Sequence, residues 1–71
     1  MTVIVYTQPN CQPCAAVKRL LMAEGIPFEE RPAAEHRDSL ASLGARSVPV
    51  IVDGDQVIHG FIPDQLRALN Q

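Results

Sequence analysis

The chain opens on an unbroken apolar run, Val3-Ile4-Val5-Tyr6. A short, β-branched run without polar alternation predicts a strand covered on both faces. A polar loop with a proline, Thr7 to Asn10, follows it. From about Cys11 to Glu24 the apolar positions recur at helical spacing, and Cys14, Val17 and Leu21 fall on one line. Pro13 suits the first turn of that helix, where a missing N–H costs nothing. Gly25 stands where a helix ends on a left-handed residue, and Pro27 prevents continuation. Phe28 to Arg31 reads as a second strand. A helix separates it from the first, so the two should pair in parallel through a right-handed crossover.

The second half repeats the alternation of types. A helix is expected from about Ala34 to Leu43, closed by Gly44, with Leu40, Leu43, Ala33 and Ala41 making a narrow apolar stripe. Val50-Ile51-Val52 is the third strand. Asp53-Gly54 signals a hairpin, and Gln56-Val57-Ile58 returns antiparallel. His59-Gly60-Phe61 reads as a loop. Pro63 and Asp64 open a last helix that runs to Leu69, the acid lying against the positive end of the helix dipole. The order is β-α-β-α-β-β-α, an α/β class with a four-stranded mixed sheet flanked by three helices.

Seventy-one residues make one small domain, 1–71, near the lower limit for independent folding. The apolar fraction, 46%, is enough for a compact core. Aromatics are only Tyr6, Phe28 and Phe61, so Val, Ile, Leu and Ala must build that core. The net charge is −2 with the signs interspersed, which argues against a nucleic-acid partner. No run approaches membrane-spanning length, and the first apolar run is too short for a secretory h-region. The expected compartment is cytoplasmic, where thiols are kept reduced.

Cys11 and Cys14 are the only cysteines. As a staple, their disulfide would close a loop of four residues, a stabilisation of about 2 kcal/mol within a turn that is already local. A structural zinc site needs four ligands, and only His36 and His59 remain, far apart in sequence. A metallochaperone-type module would place Met two before the first cysteine, where this chain has Pro9, and would end in a strand. The redox reading follows from helix position. Cys11 at the helix N-terminus meets unpaired N–H groups and the positive dipole end, which lower a thiol's pKa below its free value of about 8.5. Cys14, one turn later, should face the core. An exposed attacking thiol and a sheltered resolving thiol are what disulfide exchange needs.

On these residues the chain resembles the thioredoxin superfamily at its glutaredoxin branch. Val5-Tyr6-Thr7 leads into Gln8-Pro9-Asn10-Cys11-x-x-Cys14. Ser47-Val48-Pro49 resembles the Thr-Val-Pro stretch of glutaredoxins. Gly60-Phe61-Ile62-Pro63-Asp64 resembles the Gly-Phe-Arg-Pro-Asp stretch of the NrdH-redoxins. The resemblance covers Val3 to Leu69 and implies a thioredoxin-like fold. It implies a dithiol–disulfide oxidoreductase that reduces protein disulfides, with Cys11 as nucleophile and Cys14 as resolving thiol. It further implies recharging by thioredoxin reductase, an NADPH-dependent flavoprotein, and ribonucleotide reductase or another protein disulfide as substrate. The chain itself should bind no cofactor or metal and act as a monomer.

The resemblance also implies a cis Val48–Pro49 bond beside Cys11, with the Val48 backbone open to an incoming strand. Tyr6, Gln8, Gln12 and Pro13 would face the partner, together with Pro49, Gly60 and Phe61; for Phe61, core packing is an equal alternative. The chain departs from the NrdH pattern at several points. Gln12-Pro13 replaces a hydrophobic residue followed by Gln, Gln8 replaces Lys, Ile58-His59 replaces Trp-Ser, and Ile62 replaces Arg. A glutathione-dependent glutaredoxin is the alternative. Gln8 leaves that reading without its positive side chain near the first cysteine, and only Asp64 stands where an acidic pair is needed. His59 reads as a surface residue first and a catalytic one second. Lys18 and Arg19 read as a solvated helix face.

Overall fold

The computed structural model describes residues 3–69. Its first strand, β1 (Val3–Thr7), pairs in parallel with β2 (Phe28–Pro32) and antiparallel with β3 (Val50–Asp53), which pairs antiparallel with β4 (Gln56–His59). The strand order is β2-β1-β3-β4. Three helices complete the arrangement: α1 (Gln12–Ala23), α2 (Arg37–Ser42) and α3 (Pro63–Ala68). This is the β-α-β-α-β-β-α order and mixed sheet that the hydrophobic pattern predicts.

Alternation along the strands divides the core in two. Val3, Val5, Ile51 and Ile58 lie on the sheet face that meets Val17 and Leu21 of α1 and Leu66 of α3. Tyr6 and Val50 lie on the other face with Leu40 of α2, flanked by Ile4, Val52 and Val57. The apolar β1 run therefore has both faces covered, as its lack of alternation requires. Phe28 packs on the α1 side, which by period two puts Glu30 on that side as well and Glu29 and Arg31 on the other.

Helices α1 and α2 end in the same way. After α1, Gly25 has φ 70, its N–H donates to the Met22 carbonyl, and the Ile26 N–H donates to the Leu21 carbonyl. After α2, Gly44 has φ 73, and the Gly44 and Ala45 amides donate to Ala41 and Leu40. Each is a Schellman closure, with Ile26 against Leu21 and Ala45 against Leu40 supplying its apolar contact.

Three boundaries differ from the sequence expectation. The helix expected from Ala34 to Leu43 is broken into a 3₁₀ turn, Ala33–Glu35, and the shorter α2. His36 leaves helical geometry at φ −133, ψ 34; its amide closes the 3₁₀ turn on Ala33, and its carbonyl accepts from Leu40. The His36 and Tyr6 rings pack in a T-shaped arrangement with centroids 5.5 Å apart, a tertiary contact that local spacing does not encode. The hairpin loop is Gly54-Asp55 rather than Asp53-Gly54, because Asp53 pairs with Gln56. Gly54 has φ 61 at the first loop position, where a primed turn favours glycine. His59 is the last residue of β4, paired with Val50, and not part of a loop. Among the described residues no helix is long and apolar enough to cross a membrane.

Candidate active site

The loop between β1 and α1 delivers the two cysteines. Asn10 has φ 59, a left-handed conformation that Asn tolerates and that turns the chain sharply into the helix. Cys11 then takes the N-cap position with extended backbone, and its sulfur accepts the Cys14 amide N–H at 3.1 Å. Pro13 lies in the first turn, exposed to solvent. The sulfurs of Cys11 and Cys14 are bonded to each other, with Cα atoms 5.3 Å apart. Cys11 is half-buried, less open than the sequence suggests, whereas Cys14 is only 2% exposed and shares the buried face of α1 with Val17 and Leu21.

The pair lies in an open groove of about 880 Å³ lined by the Thr7–Gln12 loop, Cys14, Ala15, Lys18, Glu30 and Pro32. Gln8 and Gln12 are exposed on it. A second cleft, of about 410 Å³, adjoins it through Thr7, Gln8, Pro9 and Pro32 and continues past Ala33, Leu40 and Ala45 to Ser47 and Val48. Arg37 and Arg46 line that cleft.

The Val48–Pro49 bond is cis. Val48 is half-buried in the cleft wall and Pro49 is fully buried. The Pro49 carbonyl accepts the Gly60 N–H at 2.8 Å, which ties the segment after β4 to the cis proline. Gly60 reaches this position with φ 90, a conformation that other residues adopt only under strain. Phe61 and Ile62 follow it at 42% and 37% exposure, so Phe61 is not a core residue. Tyr6 needs the opposite correction. It is buried on the α2 face against Leu40 and Val50, and does not line the groove. Its alternation with Val5 turns it away from α1. His59 is exposed at the end of β4 and lines neither hollow.

The groove also holds Glu30, which is not among the site residues expected from the sequence. Glu30 accepts the Thr7 hydroxyl at 2.7 Å and the Lys18 ammonium at 3.0 Å, both on the same carboxylate oxygen. These two bonds, that from Thr7 foremost, hold the Glu30 carboxyl below its ordinary 4.5. Period-two counting from the apolar Phe28 is the sequence signal that could have found it. With its folded pKa lowered, Glu30 adds stability above the ordinary carboxylate range and loses it as pH falls through the lowered value. The carboxylate is 44% exposed, so solvent screening keeps the effect small. Melting temperatures of the parent and Glu30→Gln proteins should therefore differ at pH 7 and converge as pH falls through the lowered value. A constant gap across that range would show that the ion pair contributes nothing.

A cis proline just before β3, and a helix-capping C-x-x-C pair just after the β1 strand that β3 pairs with, on a β2-β1-β3-β4 sheet, define a thiol–disulfide oxidoreductase of thioredoxin-like fold. The sequence profile of the glutaredoxin family matches residues 3–58, and the chain belongs to that family. Its relatives include the glutaredoxin-like protein NrdH of Salmonella typhimurium, 34% identical over 99% of this chain and 90% of the relative. The Gene 56 protein of Mycobacterium phage L5 is 42% identical over 94% of this chain and 70% of its own length. Among solved structures, the glutaredoxin-like NrdH-redoxin of Escherichia coli superposes with a TM-score of 0.90 at 33% identity, over 97% of this chain and 95% of that one. Within the family the chain is thus a glutaredoxin-like redoxin of the NrdH type.

Proposed function

We propose that Cys11 and Cys14 carry out two-step reduction of protein disulfides. The observation that supports this most directly is their asymmetry: Cys11 caps the helix and is accessible, while Cys14 is buried one turn behind it. With the pair reduced, the Cys11 thiolate is stabilised by the Cys14 amide and the helix N-terminus. It attacks one sulfur of the partner disulfide, and the other partner sulfur leaves as a thiolate. Cys14 then loses its proton and attacks the Cys11 sulfur, which releases the second partner thiolate. Two electrons pass to the partner, and the Cys11–Cys14 disulfide is left.

The partner's chain would lie along the cleft that joins Gln8 to Val48, where the Val48 backbone, outside any strand, offers edge pairing. Phe61 and Ile62, exposed on the segment tied to Pro49, would add an apolar contact. Gln12 and Pro13 would meet the partner beside the cysteines. In this reading the reductant is thioredoxin reductase and the substrate is ribonucleotide reductase or another cytoplasmic protein disulfide. The relatedness to NrdH proteins supports it.

A glutathione-linked reading has one observation in its favour. Arg37 and Arg46 line the cleft beside Val48 and could meet an anionic end group there. Two coupled assays decide between them. With NADPH and thioredoxin reductase, the protein should reduce a protein disulfide through many turnovers. With NADPH, glutathione and glutathione reductase it should be slow. Turnover in the second system alone would establish glutathione as the reductant and overturn the first choice.

A further inference from the structure

Thr7 is the one buried polar side chain among the described residues, 5% exposed at the C-terminal end of β1. Its hydroxyl is committed to Glu30, and Glu30 in turn holds Lys18. All three line the groove that contains Cys11 and Cys14. Lys18 lies one helical turn after Cys14, so the two occupy adjacent positions on α1. From β1 the Thr7 hydroxyl faces Glu30, and from α1 the Lys18 ammonium does. Its strand neighbours Glu29 and Arg31 pair with each other, and alternation puts them on the opposite sheet face. The charge beside the cysteines is therefore set by one carboxylate and one ammonium, locked together.

We propose that Glu30 is a positioning residue that sets the redox balance of the cysteine pair by neutralising Lys18. The inference deepens the proposed activity and rests on the pair cycling between dithiol and disulfide. Reduction of the pair forms a thiolate in this groove. A paired Lys18 gives that thiolate little, because the adjacent carboxylate cancels its field. Removing the Glu30 charge leaves an ammonium without its counterion on the groove wall, which favours the thiolate and so the reduced form. Removing the Lys18 charge does the reverse, since the carboxylate stays beside the forming thiolate. Gln at position 30 can still accept the Thr7 hydroxyl, so Glu30→Gln changes charge with little change of shape.

The test is equilibration of wild type, Glu30→Gln and Lys18→Met with a reference dithiol–disulfide couple, together with the pH dependence of Cys11 alkylation. For Glu30→Gln the equilibrium constant for reduction should rise about threefold or more, roughly 14 mV toward the oxidising side at about 30 mV per tenfold change. Its Cys11 alkylation profile should move to lower pH. For Lys18→Met both readouts should move the opposite way. A purely structural role would move them together or not at all, and either of those results overturns the assignment. Melting curves taken alongside show that each variant is folded under the conditions used. Because the reference couple is a small molecule, the result does not depend on which protein is the substrate. A pair that fails to cycle even in wild type overturns the proposed activity itself. A pair that cycles with unshifted variants overturns only the role of Glu30.

Discussion

Replacing Cys11 by Ser should abolish protein-disulfide reduction, with a loss on the order of 10³-fold or more. The sulfur at position 11 caps α1 and accepts the Cys14 amide, and it is the more accessible of the two. A serine hydroxyl can keep that hydrogen bond and so preserve the helix start, but at neutral pH it supplies no anionic nucleophile. The variant should melt close to wild type, which separates lost chemistry from lost fold. Cys14, only 2% exposed, cannot substitute without opening the first turn of the helix. Reduction by Cys11→Ser at more than a few per cent of the wild-type rate, followed with a chromogenic protein disulfide, would show that the nucleophile is misassigned.

The second large effect is on stability. Leu21 has no exposed surface and sits where α1 meets the sheet and α3, among Val5, Val17, Ile51 and Leu66. It also makes the apolar contact that closes the α1 Schellman turn with Ile26. Leu21→Ala removes buried methyl groups and leaves a cavity that a sheet-backed site cannot readily collapse, a cost of about 2–5 kcal/mol. A chain of this length has little more than that in reserve. The melting temperature should drop by roughly 10 °C or more, and a sizeable unfolded fraction should appear at 37 °C. A drop of only one or two degrees would mean that the two helices do not share one core.

Much of this was legible in the sequence because it depends on local chemistry. The apolar β1 run, the Gly25 and Gly44 closures and the prolines that open α1 and α3 each act through neighbours a few residues away. Cys14 could be placed in the core because Val17 and Leu21 repeat its helical phase. What was illegible depends on contacts distant in the chain. His36 breaks the second helix where it meets Tyr6, and nothing between Ala34 and Leu43 marks the break. Tyr6 belongs to the packing and not to the groove, which follows only once the phase of β1 against both helices is known. Glu30 stands between Glu29 and Arg31 in the expected second strand, where alternation gives its face but not its partners. The pairing of Val5 with Glu30 is what brings it beside Thr7 and under α1. The cis Val48–Pro49 bond was expected from family resemblance, since most such bonds are trans.

The division of labour between the two cysteines can be read out by trapping the mixed disulfide. Cys14→Ser and Cys11→Ser proteins, each reduced and then mixed with a disulfide-bonded substrate protein, are resolved by mass spectrometry under non-reducing conditions. Cys14→Ser should form a one-to-one mixed disulfide through Cys11 that persists until a dithiol is added, and Cys11→Ser should form little. Equal trapping by the two variants, or trapping by Cys11→Ser alone, would show that Cys11 is not the attacking thiol with Cys14 as its resolver.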